Sequence, residues 1–443
     1  MTDQGKRARG LISAAVLIAG LHLVGASLAP VEAQSNQDIA FADYQLNRSL
    51  PGARSLAMGG AFVALADDAT AVYSNPAGLV LLDFPEVSFE ARHWSFDTQV
   101  PDVGRVSGPV TGIGIDTAEG VRRKDVRSST QGPSFASAVW SDARRRWTVG
   151  AFYHRLADFE RSFNSEGVFT SNNPRFGPYR STASVALESF GATGAYEFGN
   201  CVLPRRCVRV GLTVLRYEAE YWSRTDVLAD PPPQGVGAAD FGAPAVATAW
   251  TTGKGNSLDY HLGLLWEVSP RWTFGGAIRR GPRFSIYEAL YGSNRNAILH
   301  FPDEASIGAA LHLGSSWTFS LEVDRVRYSQ LTDDNGFSEF SVSDATEVRL
   351  GAERVVFFGS GLQRNRISVM AGAWLDPNHR FEYRGPVREN IDEFKSAYFR
   401  PGGSSQWHGS AGLGINLRSF QLDAGFDYSV GVATGSVSCT YRL

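Results

Sequence analysis

Segments in which apolar and polar residues alternate recur along the chain from residue 85 to the C-terminus. At positions 420–430, every even residue is apolar and every odd residue is polar or glycine, and positions 317–324 and 208–214 follow the same period. Successive side chains of a β-strand point to opposite faces, so each segment is predicted to be a strand with one apolar and one polar face. A transmembrane barrel and a soluble sandwich both satisfy this pattern.

The start of the chain has the pattern of a secretory signal peptide. Lys6, Arg7 and Arg9 precede an apolar stretch at 11–28, and small residues lead to a cleavage site after Ala33. A retained membrane anchor is the alternative to cleavage. Export, together with strands near the 9 to 11 residues that cross an outer membrane, favours the barrel over the sandwich.

Fourteen alternating segments are predicted to be strands: 85–97, 133–141, 146–158, 181–198, 207–222, 256–268, 271–288, 302–314, 316–329, 345–358, 365–376, 406–418, 419–430 and 434–443. Short turns between them alternate with long polar segments, of which the largest are 97–131, 224–255 and 377–405. Short periplasmic turns and long extracellular loops are typical of outer-membrane proteins. We therefore predict an all-β, transmembrane, antiparallel β-barrel of about 14 strands with both termini in the periplasm.

Composition and motifs argue against several other classes of protein. The 42 basic and 45 acidic residues are nearly balanced, so no basic face for a nucleic acid is indicated. The eight histidines show no HExxH spacing, and neither a GxSxG elbow nor a GxGxxG loop occurs. We expect no enzyme activity, no metal and no cofactor. An outer-membrane phospholipase, which needs only a serine and a histidine from neighbouring strands, remains a remote alternative.

Residues 50–82 are too rich in glycine to fold alone and too apolar to be a linker. We predict that residues 34–83 form a small N-terminal plug, or hatch, inside the lumen of the barrel, which comprises residues 84–443; packing below the barrel is the alternative. Pro76 restricts Asn75 to extended geometry, and the Asn75 side chain can bond nearby backbone before a short helix. Asp67 and Asp68 are expected to accept hydrogen bonds from inward arginines of the barrel. The predicted plug motif consists of Gly59, Gly60, Asp67, Asp68, Asn75, Pro76, Ala77 and Gly78.

This region resembles the FadL-like outer-membrane transporters of long-chain fatty acids and other hydrophobic compounds. The similar residues are Gln-Leu-Asn at 45–47, Gly-Ala-Arg at 52–54, Met-Gly-Gly-Ala at 58–61, Ala-Asp-Asp-Ala at 66–69 and Asn-Pro-Ala-Gly at 75–78. The resemblance implies passive uptake of a fatty-acid-like or other hydrophobic small molecule. It also implies that the mature N-terminus enters the pocket, which places Phe41 and Tyr44 near the ligand. An inward kink in the third strand, where Gly150 is the only glycine, is implied as well.

A second hypothesis is that the barrel serves as a partner in secretion or surface attachment. In either case the expected surroundings are outer-membrane lipid, and a monomer is favoured although the oligomeric state is left open. A ligand carboxylate buried in an apolar pocket needs a cation as its partner. The candidates are Arg92, Arg279 and Arg349, because counting residues along their strands places these side chains on the lumen face. The alternative is that they pair with lumen acids such as Glu90, Glu322, Asp324 and Glu347.

The three cysteines suggest one disulfide. Cys201 and Cys207 bracket a short turn and are predicted to pair in the oxidising periplasm. Cys439 then remains single, on the lipid face of the last strand.

Overall fold

The computed structural model describes residues 43, 45–46, 48, 50–141, 146–172, 175–199, 207–232, 235–290, 293–333, 339–359, 365–400 and 402–443. Its strands are β1 (Glu86–Arg105), β2 (Gly120–Trp140), β3 (Trp147–Ser165), β4 (Tyr179–Phe198), β5 (Cys207–Leu228), β6 (Ala245–Ser269), β7 (Trp272–Arg279), β8 (Arg283–Leu290), β9 (Ser293–His300), β10 (Glu304–Leu313), β11 (Trp317–Val326), β12 (Phe340–Ser341), β13 (Ala345–Phe358), β14 (Asn365–Asp376), β15 (Glu382–Tyr383), β16 (Gln406–Leu417), β17 (Phe420–Ser429) and β18 (Val432–Arg442).

Fourteen of these strands form one closed antiparallel ring. The first strand, β1, pairs with the last, β18, and each remaining neighbour in the ring is also paired, including β5 with β6 and β7 with β10. The hairpin β8–β9 continues the wall beside the upper part of β6, and β12 and β15 form a separate small sheet. This ring confirms the predicted strand number.

Helices are short. They are α1 (Ala53–Ala57), α2 (Ala71–Ser74), a 3-10 helix (Pro76–Leu81), α3 (Gln330–Asp333) and α4 (Asn390–Tyr398). Among the described residues, none of the helices is long and apolar enough to cross a membrane.

The two faces of the wall differ in polarity as the alternation predicts. On β17, Leu422 and Phe426 are 40% and 51% exposed on the outside, whereas Asp423 and Asp427 are buried on the inside. The same period governs β11 and β5, whose outward residues include Phe319, Leu321, Leu212 and Val214. An apolar exterior on a closed ring is the architecture that suits a lipid bilayer.

Several strands extend farther than the sequence analysis predicts. The predicted loop at 97–131 contains the end of β1 and most of β2, and the predicted loop at 224–255 contains the end of β5 and the start of β6. On the upper part of β6 the outward face is mixed, with Val246 and Trp250 exposed, whereas on β1 and β2 it is polar: Arg127 donates to Asp97 at 2.7 Å from one strand to the next. On β1 and β2 the outward residues stop being apolar while the two strands remain hydrogen-bonded to each other. The alternation therefore ends before the strands do, which is why these boundaries were wrong. The predicted strand 271–288 is also interrupted between β7 and β8.

Residues 50–82 pack against the inner face of the wall. The amides of Phe62 and Val63 donate to one carboxylate oxygen of Glu322, at 2.6 and 2.7 Å. Where β1 meets β18, the amide of Gly52 donates to Glu90 at 2.8 Å, and the amide of the next residue donates to the Ser438 hydroxyl at 3.4 Å. The segment is therefore bonded across the line at which the first and last strands pair.

Glycines on the inward register of the wall permit this close approach. A Cβ on Gly372 would lie 2.3 Å from the amide nitrogen of Gly59, and one on Gly425 would lie 2.3 Å from the carbonyl oxygen of Ala53. Only glycine leaves room for two backbones at such distances. The inward glycines against residues 53–77 are Gly150, Gly211, Gly263, Gly275, Gly308, Gly351, Gly372, Gly412 and Gly425. They come from nine different strands, so we call them the glycine belt.

The long loops at one end of the barrel are tied together above the lumen. Glu393 of α4 accepts hydrogen bonds from the Ser107 hydroxyl at 2.7 Å and from the Ser171 amide at 2.9 Å, which belong to two other loops. Beneath these bonds, Phe176 and Phe394 pack with ring centroids 5.2 Å apart. These contacts form a lid of loops over the barrel.

Candidate functional site

The lumen above residues 50–82 is lined with aromatic side chains. Inward residues of β1, β2 and β3 join one buried apolar cluster: Trp94, Phe96, Phe135, Phe152 and Phe159. The barrel of a water-filled channel has a polar interior. An aromatic lining instead suits contact with apolar molecules.

Tyr73 of α2 lies in this cluster between two histidines of the wall. Its ring centroid is 4.4 Å from that of His154 on β3 and 4.8 Å from that of His261 on β6, and both contacts are edge-to-face. The Tyr217 hydroxyl contacts Nε2 of His261 at 3.0 Å and donates to the carbonyl of Arg280 at 3.2 Å. Both histidines are fully buried.

Arg349 faces the lumen from β13, as predicted, and is held by acids. It donates to Asp324 at 2.7 Å and forms an ion pair with Glu347, and its guanidinium carbon lies 4.3 Å from the Trp374 ring. With Trp374 it lines a cavity of about 30 Å³, which is space for one or two water molecules. In this conformation the cavity has no room for a hydrophobic ligand.

The other two predicted arginines are also paired. Arg92 forms an ion pair with Glu90 at 2.5 Å and donates to the carbonyl of Leu50 at 2.8 Å. Arg279 forms an ion pair with Glu304 and donates to the carbonyl of Ser74 at 2.8 Å. Each thus joins a wall acid to the N-terminal segment, the arrangement given above as the alternative to ligand binding. Their role toward a carboxylate stays a prediction.

The Asn-Pro motif has the predicted local geometry. The Asn75 side chain accepts from the Ala77 amide at 3.2 Å, and a 3-10 helix begins at Pro76. The same side chain donates to the carbonyls of Val63 at 2.7 Å and of Leu264 on β6 at 3.1 Å. It therefore ties two parts of the segment to the wall. A Cβ on Gly78 would lie 2.0 Å from the carbonyl oxygen of Ala66, so this glycine is required by packing.

The two glycines of the motif behave as expected, whereas the two aspartates do not. Gly59 and Gly60 have positive φ angles of 66° and 75°, which glycine adopts without strain. Asp67 and Asp68 were expected to pair with inward arginines of the barrel, and this was wrong: both pair with Arg54 of the same segment. Arg54 in turn reaches Glu353 of the wall at 2.8 Å, because its side chain is long enough to bridge the two.

Some predicted residues cannot be placed. Phe41, Tyr44 and Cys201 lie outside the described residues, as does the signal peptide at 1–33. Cys207 is buried at the start of β5, and Cys439 is a free thiol. The proposed ligand contacts and the disulfide therefore stay predictions.

The wall opens between β2 and β3. The paired region of these strands extends from Phe135, opposite His154, down to Trp140, opposite Val149. Above Phe135 and His154, both strands continue for more than ten residues without pairing to each other. Above that level, in the described parts of both strands, side chains span the opening: the Thr130 hydroxyl donates to the carbonyl of Asp158 at 2.9 Å.

A bulge in β3 accompanies the opening. The register of β3 against β4 shifts between Arg155 and Ala157, and a bulge bends the strand that carries it. Gly150, the glycine considered for the kink, instead belongs to the glycine belt and contacts Val72. The opening thus starts next to His154, one residue below the bulge.

The loop after β14 holds the first described residues of the chain. His379 contacts the carbonyl oxygens of Pro377 at 2.9 Å and Leu46 at 3.1 Å and stacks on Tyr328, with centroids 3.9 Å apart. Burial alone would lower the pKa of His379, but the nearby Asp376 carboxylate raises it overall. A protonated ring donates from both nitrogens, which matches the two carbonyl partners.

Sequence reasoning missed Tyr73, His154 and His261 as a group. The available signal was weak. Both histidines lie on the polar register of their strands among inward aromatic residues, but they are far apart in the sequence, so no local pattern indicates that they lie close together in the fold. Arg48, which donates to the carbonyl of Pro302 at 2.6 Å, was missed for the same reason.

No protein-family model matches the chain, and no curated protein matches it in sequence. Solved structures do match. A Pseudomonas aeruginosa FadL homologue aligns with a TM-score of 0.59 and 13% identity over 90% of this chain and 100% of the other. The P. putida toluene transporter TodX aligns with a TM-score of 0.52 and 10% identity over 90% and 99%. A TodX deltaS2S3 mutant, a monoaromatic hydrocarbon channel, gives 0.53 and 11% over 89% and 99%. The chain therefore has the barrel fold of the FadL homologue and of TodX.

Proposed function

We propose that the protein is an outer-membrane barrel for the passive uptake of hydrophobic small molecules. The observation that carries this proposal is the apolar lumen: a closed ring with an apolar exterior encloses Trp94, Phe96, Phe135, Phe152 and Phe159 where a water channel would have polar side chains. The barrel fold shared with the FadL homologue and with the toluene transporter TodX supports it.

In this proposal residues 50–82 are the plug. Its bonds to Glu322 and Glu90 and its fit against the glycine belt support a seat inside the wall rather than below it. A seated plug blocks free passage of ions and water, while apolar molecules reach the lumen from above and leave it sideways or after the plug shifts.

The opening between β2 and β3 is the proposed sideways route. It begins beside the outward pair Tyr153 and Phe190, whose centroids are 5.2 Å apart, and aromatic residues of this kind mark the border of the bilayer. An apolar molecule leaving the lumen there would enter the outer leaflet without crossing the polar surface.

Neutral hydrophobic molecules fit the lumen better than fatty acids do. Arg92, Arg279 and Arg349 each have an acid partner, so a ligand carboxylate would have to displace one of these acids. Displacement leaves a buried carboxylate without its cation, which is strongly unfavourable. Fatty-acid transport is thus the narrower form of the proposal, and its test is the comparison of a fatty acid with its neutral alcohol.

The test is uptake into proteoliposomes that carry the purified protein and have lipopolysaccharide in the outer leaflet, because toluene crosses a plain phospholipid bilayer unaided. We expect faster uptake of toluene than in empty liposomes, with little leak of a small hydrophilic solute; a neutral long-chain alcohol and its fatty acid are compared in the same assay. Equal toluene rates with and without the protein would refute the proposal. Capture of a stable multiprotein complex without toluene uptake would favour the secretion partner instead.

The route is tested by filling the opening. Gly132 lies beside the opening, and a Cβ built on it would lie 3.6 Å from the Arg155 side chain. The large side chain of Gly132→Trp should therefore obstruct the opening and slow toluene uptake. Gly194→Trp is the matched control, because a Cβ there meets nothing within 4 Å. Gly132→Leu serves if the larger side chain prevents folding. Unchanged uptake in a folded Gly132 variant would refute the sideways route.

A further inference from the structure

The ring of Tyr73 occupies a position that is built like a ligand site. The rings of His154 and His261, from two distant strands, make T-shaped contacts with it at centroid distances of 4.4 and 4.8 Å, with interplanar angles of 70° and 78°. The positive edge of one aromatic ring is attracted to the electron-rich face of another, so two such contacts favour an aromatic over a saturated ring.

His154 has no other polar contact to explain its position. The side chain is fully buried, and neither ring nitrogen has a hydrogen-bond partner among the described residues. Leaving a buried polar group unpaired is unfavourable, so such a group calls for a specific reason. Its close partners are the rings of Tyr73 and Phe135.

Polar groups lie at the other end of the Tyr73 ring. Arg48 and Tyr217 lie next to its hydroxyl. Arg48 is already paired with Glu304 at 3.4 Å, so its charge is largely compensated. These neighbours suit a neutral hydroxyl rather than a carboxylate, which would need an unpaired cation.

We infer that Tyr73 fills, from within the chain, a lumen site for a hydroxylated monoaromatic compound of the phenol class. The inference rests on the proposed function and names its substrate class. The tyrosine side chain is itself a phenol, so a free phenol that enters the lumen meets the same histidine rings and hydroxyl partners once Tyr73 withdraws. His154 lies at the last paired residue below the opening between β2 and β3, so the site adjoins the proposed route.

Removal of the Tyr73 side chain should leave the plug in place. The backbone on either side of Tyr73 is held independently: the carbonyl of Val72 accepts from the hydroxyls of Thr193 and Thr213 at 3.0 and 2.8 Å, and the carbonyl of Ser74 accepts from Arg279. An apolar cavity created by shortening a buried side chain can bind a small aromatic molecule. Tyr73→Ala should therefore empty the site without dismantling it.

The experiment titrates phenol, toluene and cyclohexanol into Tyr73→Ala and into the parent protein in detergent, followed by NMR. Both proteins should bind phenol saturably, and the variant should bind it more tightly because Tyr73 competes for the site in the parent; the non-saturable part of the titration measures partition into the detergent. The affinity for phenol should exceed the affinities for cyclohexanol and for toluene by roughly 2- to 12-fold each, which is the ratio expected from one aromatic pair or one hydrogen bond. If Tyr73→Ala does not fold, Tyr73→Val leaves a smaller cavity for the same comparison.

Two controls make the result specific. Phe62→Ala removes another fully buried ring of the plug, which lies beside Arg54 and not between histidines. The cavity left by this variant should not prefer phenol over cyclohexanol and toluene. Adding His154→Leu to Tyr73→Ala should bring the phenol-to-cyclohexanol ratio toward one and leave the phenol-to-toluene ratio unchanged. Absence of saturable phenol binding, equal selectivity in Phe62→Ala, or a ratio indifferent to His154 would overturn the inference. Toluene uptake by the parent protein would still stand in each of these cases.

Discussion

Replacing Glu322 by leucine should loosen the proposed plug, residues 50–82, and replacing it by glutamine should not. Both plug amides, those of Phe62 and Val63, donate to the same oxygen of Glu322. Leucine leaves two buried N–H groups without a partner, at about 1 to 3 kcal/mol each, or about 2 to 6 kcal/mol in total. Glutamine keeps one oxygen for both amides, and its NH2 group takes the place of the second oxygen, which has no hydrogen-bond partner among the described residues.

Hydrogen exchange measured by mass spectrometry on peptides covering residues 58–66 tests this difference. A loss of about 2 to 6 kcal/mol corresponds to exchange through local opening that is faster by roughly 30-fold or more. Ion conductance in planar bilayers provides a second measurement, because a loosened plug leaks. The glutamine variant controls for the loss of a buried charge. Equal exchange in the leucine and glutamine variants would show that these two bonds do not hold the plug.

Three further outcomes are expected. Gly372→Ala should lower the unfolding temperature, since its Cβ would meet plug backbone at 2.3 Å, whereas Gly194→Ala should not; equal shifts in thermal melts would count against the glycine belt. Burial alone would raise the pKa of Glu393, but hydrogen bonds from two neighbouring loops lower it from 4.5, so its contribution to the lid is present above that pH and is lost on acidification. Spin-label distances between the loops should lengthen at pH 3 and not at pH 6, and a Glu393→Gln variant that keeps the parent's pH response would refute this assignment. Alkylation without reduction should label Cys439 alone, and labelling at Cys201 and Cys207 would exclude their disulfide.

The barrel could be predicted because lipid and lumen impose opposite polarity on successive residues. This rule held for β17, where Leu422 lies outside and Asp423 inside. It failed above the membrane border, where Asp97 and Arg127 make the outward face polar while pairing continues. The geometry around Asn75 was predictable as well, since it depends on proline and on contacts only two residues apart.

The candidate site was less accessible to sequence reasoning. Arg92, Arg279 and Arg349 could be assigned to the inner face by counting, but their partners depend on the depth of the plug, which no local pattern encodes. The contact of Tyr73 with His154 and His261 requires the plug and two distant strands to be placed together. Gly150 illustrates the same limit, because its role depends on Val72 of the plug and not on its own strand.

The bonds from Gly52 and Ala53 across the junction of β1 and β18 have a consequence for the order of assembly. The chain passes from the plug directly into the first strand, and that strand pairs with the last one made. A plug left outside until the ring had closed could not help to bring these two strands together. Closure of the ring and seating of the plug are therefore expected to be one event, and a chain that lacks residues 50–82 should form its final seam more slowly.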